Sequence, residues 1–255
     1  MGASKNIQRA ALITGSAKRI GASIARGLAG AGYSVVLHAN RSREDAEGLA
    51  AEIVEGGGRA RVVLADLSDA EAVRGLIPAA AAFGQLTLLV NNAGEFEPDD
   101  IETLSLANFR RALAVNLEAP LFLSQAFSTQ APANADASIV NILDQRVFKP
   151  NPRFFSYTLS KSALHTATVT LAQALAPKLR VNAVAPGPTL PSPRQTDAQF
   201  AAQAHSLPLQ HGPRPDDIAA AVLYLAEARA VTGMTIAVDG GQHLAWRTAD
   251  NEIVE

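Results

Sequence analysis

Tyr157 and Lys161 stand four residues apart, inside the segment SIVNILDQRVFKPNPRFFSYTLSK that spans residues 138–161. On a helix that spacing puts both side chains on one face, where their functional atoms can meet. A phenol beside an ammonium is a proton donor whose phenolate the positive charge stabilises. Its pKa is therefore expected below the free value of about 10. Such a phenol can protonate an oxygen or nitrogen while a hydride arrives at the neighbouring carbon. Taken alone, the same pair is a weak signal and reads more readily as a packing tyrosine and a surface lysine. Asp144 changes the picture, because the apolar run 138–143 reads as a strand that delivers this carboxyl at its C-terminal end.

The elements that must position these groups follow from periodicity. Residues 10–14 form a short apolar run ending at Gly15-Ser-Ala-Lys18-Arg19-Ile20-Gly21, and residues 22–29 continue with helical apolar spacing. Strand, glycine turn and helix open a doubly wound nucleotide fold. Gly15 permits the tight turn and Gly21 a close helix–sheet approach, while the free N–H groups and dipole of the helix start can hold a pyrophosphate. A second strand, 34–37, runs into Asn40-Arg41-Ser42 with no acid before Glu44. A carboxylate at this strand end would hold a ribose 2′-hydroxyl, whereas Arg41 and Ser42, with Lys18 and Arg19, suit a 2′-phosphate. The cofactor expected is NADPH/NADP+.

A helix over 46–54, a third strand over 61–65 and Asp66-Leu67 come next. Asp66 could accept from an adenine amino group or cap the following helix, 70–83, as Ser68 and Asp69 also could. A fourth strand, 86–90, ends in Asn91-Asn92-Ala93-Gly94 and precedes an acidic loop holding Phe96. The helix over 106–127 contains Asn116 and is expected to bend near Pro120. A buried amide there needs a partner, either a water or a neighbouring carbonyl. The Tyr157 helix continues through 163–176, and a sixth strand, 180–185, closes on Pro186-Gly187. Residues 188–215, with Thr189 near their start, hold prolines 188, 191, 193, 208, 213 and 215 and read as a substrate loop or lid containing short helices. A helix over 216–228 and the strand Thr235–Val238 complete the pattern, leaving an N-terminal arm, 1–9, and a tail, 242–255, with Trp246 and Arg247. Seven strands alternating with helices imply right-handed crossovers and one parallel sheet covered on both faces.

Composition narrows the functional classes. The 255 residues, 48% of them hydrophobic, suffice for one well-buried α/β domain, 1–255, and are short for two. A net charge of −2 gives no reason to expect a nucleic-acid or anionic-membrane partner. No apolar run approaches the roughly 20 residues of a membrane span. With no cysteine, neither a disulfide nor a thiolate site can form, and a cytoplasmic protein is expected.

Together, TGSAKRIG at 14–21, NNAG at 91–94, Asn116, YTLSK at 157–161 and PG at 186–187 resemble the short-chain dehydrogenase/reductases. The resemblance covers nearly the whole chain. It implies that Tyr157 is the proton donor, that Lys161 holds the nicotinamide ribose and lowers the phenol pKa, and that Asn116 positions a water in the relay. It also implies a homotetramer or homodimer. Two positions depart from the wider family. Arg19 replaces a common glycine, and Asp144, thirteen residues before Tyr157, replaces a serine. An ionised carboxylate would repel the alkoxide that forms in ketone reduction, unless it stayed protonated. It suits C=N reduction, in which a nitrogen must gain a proton that an Asp coupled to a Tyr can relay.

AKRIG, the NRS at 40–42, Asp144 with Tyr157 and Lys161, and Phe96 resemble the pteridine reductase branch. That implies a pterin-like substrate sandwiched between Phe96 and the nicotinamide, with Arg19 reaching both cofactor phosphate and pterin. Phe96 could equally be a loop anchor. Two other functions fit the same sequence: reduction of another carbonyl or imine on this scaffold, and non-catalytic NADP sensing.

Overall fold

A computed structural model describes residues 9–132 and 135–246. Most of the N-terminal arm, and Arg247 with the tail beyond it, lie outside the described residues. In chain order the elements are β1 (Arg9–Ile13), α1 (Arg19–Gly30), β2 (Ser34–Ala39), α2 (Arg43–Glu55), β3 (Arg59–Leu64), α3 (Ala70–Ala81) and β4 (Gln85–Asn91). Then come α4 (Leu106–Leu113), α5 (Ala119–Gln130), β5 (Ala137–Ile142), α6 (Phe155–Leu175), β6 (Leu179–Pro186), α7 (Asp197–His205), α8 (Pro215–Glu227) and β7 (Thr235–Val238).

The seven strands form one sheet in the order β3-β2-β1-β4-β5-β6-β7, and every neighbouring pair is parallel. Parallel strands buried on both faces read as continuous apolar runs, as SVVLHA in β2 and ASIVNI in β5 do. Alternate residues feed two cores. Ala11 and Ile13 of β1 pack with Ile24, Leu28, Val222 and Leu225 from α1 and α8. Ala10 and Leu12 pack on the other face with Leu76, Ile77, Leu123 and Phe127 from α3 and α5. After β3 the chain returns past β1 to begin β4. The C-terminal ends of β1 and β4 therefore flank the point where strand order reverses, the crevice in which such sheets bind ligands.

One expectation needs correction. The long helix is not broken near Pro120 but at a π-helical turn, Ala114–Glu118, centred on Asn116. Pro120 lies two residues beyond that turn in backbone that stays helical from α4 through α5, so its missing N–H leaves a carbonyl of the turn without an intrahelical donor. The Pro-rich stretch contains a short helix, as expected. It holds α7, whose start is fixed by a reciprocal Thr196–Gln199 capping box.

Candidate active site

Tyr157 is the third residue of α6, and Asp144 lies just beyond the end of β5. Their side chains meet across the top of the sheet: the Tyr157 hydroxyl donates to Asp144 Oδ2 at 3.0 Å. Asp144 also accepts from the Arg146 backbone N–H through Oδ1, at 2.9 Å, which fixes the carboxylate's orientation. The Arg146 guanidinium lies 4.0 Å from the same carboxylate. Lys161 shares the helix face with Tyr157, but its Nζ donates to the Ile142 carbonyl at 2.7 Å and makes no hydrogen bond to the phenol.

That arrangement overturns the expected pKa. The Tyr157 phenol is pushed well above its ordinary value, first by burial and then by the charge and hydrogen bond of Asp144, with only Arg146 opposing. Reading the helix alone finds the lysine and misses the carboxylate that arrives from β5. Burial likewise raises the Asp144 carboxyl, against its bonds to Arg146 and Tyr157. Burial lowers Lys161 to about 8, partly offset by Asp144.

Asn116 is fully buried. Its Oδ1 accepts from the Glu95 N–H at 2.8 Å, and its Nδ2 donates to the Glu95 carbonyl and to Ser160 Oγ, both at 3.0 Å. The amide thus clips the loop after β4 to α6. Both amide hydrogens of Asn116 are taken up in this way.

The glycine turn is built for close approach. Gly15 adopts φ +62°, and a Cβ on Gly21 would lie 2.3 Å from the Gly15 carbonyl oxygen and 2.6 Å from Asn92 Nδ2. Asn92 stitches that turn to β4 by donating to the carbonyls of Thr14 and Gly15 at 2.9 and 3.0 Å. His38 supports it from beneath: Nδ1 accepts from the Gly15 N–H at 3.0 Å, and Nε2 lies 3.1 Å from the Ala65 carbonyl. A cavity of about 380 Å³ runs above these strand ends. Lys18, Arg19, Ile20 and Gly21 wall it on one side, Asn40, Asp66 and Leu67 on another, and Asn92, Ala93 and Gly94 on a third.

Arg19 sits at φ +55°, in the left-handed region where glycine costs nothing. Its guanidinium donates to the carbonyls of Leu190 and Pro191, tying the cofactor turn to the substrate loop. Lys18 pairs with Asp45 at 2.8 Å. Arg41 is exposed and has no hydrogen bond or ion pair among the described residues, and the Ser42 side chain caps nothing. Asp66 accepts from Ser68 and Asn40, while Asp69 caps α3. The capping reading of Asp66 therefore fails.

A second cavity, of about 480 Å³, adjoins the first. Asp144, Tyr157, Lys161, Pro186, Gly187 and Thr189 all reach it, as do Arg19 and Phe96. Gly187 packs so closely on β7's end that a Cβ would lie 2.6 Å from Asp239 Cα. Phe96 stacks face to face on Phe154, centroids 4.0 Å apart and planes 4° from parallel, and meets Tyr157 edge-on at 4.7 Å. One face of Phe96 is thus already covered, so both readings of that residue meet here: it anchors the loop and it walls the cavity. Arg146 and Arg194 flank the ring pair. Phe154, Arg146, Arg194 and His38 escaped the sequence reading. The double Phe before YTLSK and the arginine two positions after Asp144 were the available signals.

A family model described as enoyl-(acyl carrier protein) reductase matches residues 15–243. An uncharacterized oxidoreductase of Methylorubrum extorquens is 38% identical over 245 residues, 91% of this chain and 97% of the relative. This chain belongs to the short-chain dehydrogenase/reductase family. Within that family, FolM alternative dihydrofolate reductase 1 from Brucella suis, solved in complex with NADP, is similar at 50% identity. Its TM-score is 0.92, over 94% of this chain and 97% of that one. A short chain dehydrogenase from Burkholderia cenocepacia, also in complex with NADP, is 34% identical with a TM-score of 0.86, covering 94% and 100%. For a short-chain dehydrogenase/reductase, the unusual wall of the site is Asp144, hydrogen-bonded directly to the tyrosine.

Proposed function

We propose that this oxidoreductase uses NADPH to reduce a C=N bond of a pterin or dihydrofolate-like ring. The observation that carries the reading is the 3.0 Å hydrogen bond between the Tyr157 hydroxyl and a carboxyl group, Asp144, in a cavity walled by paired aromatic rings. The 50% identity to a protein described as a dihydrofolate reductase in complex with NADP supports it. The residues fit the cofactor. Gly15 and Gly21 leave a cradle that side chains would fill, and Arg41 offers an unpaired guanidinium to a 2′-phosphate. Asp66 would take the adenine amino group and Gly94, Pro186, Gly187 and Thr189 the nicotinamide end.

When bound, the cofactor would supply the hydride that adds to the ring carbon. The adjacent nitrogen gains its proton from Tyr157 Oη, completing addition of H⁻ and H⁺ across C=N. An Asp144 carboxyl raised by burial is more often protonated, and in that form it returns a proton to the phenolate. Lys161, anchored on Ile142, contributes positive charge beside the developing phenolate and a donor for the ribose. A flat substrate would lie against Phe96, backed by Phe154.

NADPH oxidation assayed with dihydrobiopterin, dihydromonapterin and dihydrofolate, beside simple ketones, tests this. Turnover of at least one pterin is expected, and Tyr157→Phe should lower kcat on the order of 100-fold or more. Reduction of ketones with no turnover of any pterin would contradict the reading. We further assign a cytoplasmic enzyme, consistent with the lack of cysteine. A homotetramer or homodimer is favoured by exposed Phe122 and Leu159 on α5 and α6, and a solution mass measurement decides it.

A further inference from the structure

Tyr157 lies in the first turn of α6, the part of a helix that frays first, because its N–H groups have no intrahelical partners. The helix supplies no cap of its own. The residue at its N-cap position, Phe154, adopts φ 56° and ψ 52° and makes no side-chain capping bond. The partners come instead from Asp99, 57 residues earlier, in the loop between β4 and α4. The Asp99 carbonyl accepts from the Phe155 N–H at 3.2 Å. Its carboxylate accepts from the Ser156 N–H through both oxygens, at 3.1 and 3.3 Å, and from the Ser156 hydroxyl. Asp99 is 9% exposed, so water is a poor substitute for it.

The same loop touches Tyr157 directly. Phe96 meets the phenol ring edge-on at 4.7 Å, and Glu95 is clipped by Asn116, which also bonds Ser160 of α6. The chain is thus held against the catalytic turn at three points, and Asp99 is the one that grips the helix start. We propose that Asp99 is the positioning residue for Tyr157: by capping α6 in trans it holds the phenol at hydrogen-bond distance from Asp144. This goes beyond cofactor and substrate assignment, but it rests on Tyr157 being the proton donor. The glycine turn belongs to other elements, and Lys161, in the second turn of α6, is anchored on the Ile142 carbonyl, so loss of the cap should leave NADPH binding intact and act on the proton-transfer geometry.

The test is a double-mutant cycle in NADPH oxidation with dihydrobiopterin, comparing wild type, Asp99→Ala, Tyr157→Phe and the double variant. Asp99→Ala should lower kcat by about 10- to 100-fold, the size expected when a reacting group is displaced by about 1 Å. KM for NADPH should stay unchanged. Asp99→Asn, whose amide oxygen still accepts from the Ser156 N–H, should recover most of the rate. In the Tyr157→Phe background, Asp99→Ala should change the residual rate by less than about twofold, because the group it positions is already gone.

A wild-type kcat for Asp99→Ala, or the same fold loss in both backgrounds, would overturn the proposal. Should Asp99→Ala fail to fold, Ser156→Ala carries the same cycle, with a smaller loss expected only when Tyr157 is present; equal losses overturn it. If Tyr157→Phe keeps the wild-type kcat, the proton-donor reading itself falls. If Tyr157→Phe is inactive while Asp99→Ala is normal, only the role of Asp99 falls.

Discussion

At the scale of single residues, the site is governed by which charge stands next to the phenol. Asp144 accepts from Tyr157 and Lys161 does not touch its oxygen, so the phenol is held protonated. Arg146, 4.0 Å from the carboxylate and only 16% exposed, is the cation that opposes this. Replacing Arg146 by Met should raise the Asp144 pKa further. The limb of the kcat profile set by Asp144 ionisation should then move to higher pH; a profile identical to wild type would contradict the assigned electrostatics. Arg41 sets a second residue-scale expectation. Arg41→Asp puts a carboxylate where a 2′-phosphate would sit, so kcat/KM should shift from NADPH towards NADH on the order of 100-fold. An unchanged NADPH/NADH ratio would show that Arg41 does not read the phosphate.

At the scale of elements, the site depends on turns more than on helices. A Cβ at Gly21 would strike the backbone of Gly15 and Ser16 at 2.3 and 2.8 Å, where no flexible side chain can give way. Gly21→Ala should therefore cost about 1–3 kcal/mol of stability and weaken NADPH binding together. Paired measurements of thermal unfolding and NADPH titration check both. The strands and helices were legible because apolar period and glycine turns mark them, with ends displaced by a few residues. The π-helical turn at Asn116 was not, since no periodicity distinguishes five residues of wider helix from a bend at the nearby Pro120. Nor was the left-handed Phe154, because only the incoming chain and the grip of Asp99 show why the helix begins there. Tyr157 and Lys161 were legible as a local pair. Asp144 was legible as the carboxyl delivered to the phenol by the end of β5; that Lys161 turns to the Ile142 carbonyl was not, being a tertiary contact.

At the scale of the whole molecule, the strand order places every candidate group along one edge. The ends of β1, β2, β3 and β4 hold the first cavity, and those of β5 and β6 hold the second. His38 joins stability to this edge. Burial lowers its pKa below 6.5, and its neutral form accepts the Gly15 N–H. A depressed folded-state pKa gives stability that is present above 6.5 and lost as pH falls towards the folded value, because the unfolded chain takes up the proton first. Thermal midpoints should fall below that pH less steeply in His38→Gln than in wild type; equal slopes would remove His38 from the account.

The pairing of a carboxyl group with the phenol is tested most directly by measuring kcat/KM for a dihydropterin and for a simple ketone in wild type and in Asp144→Ser. The pterin-to-ketone ratio should fall by about two orders of magnitude in the variant, because a serine hydroxyl is too weak an acid to return a proton to the Tyr157 phenolate yet can donate to a ketone's developing alkoxide. A ratio that holds steady or rises would contradict the proposed chemistry.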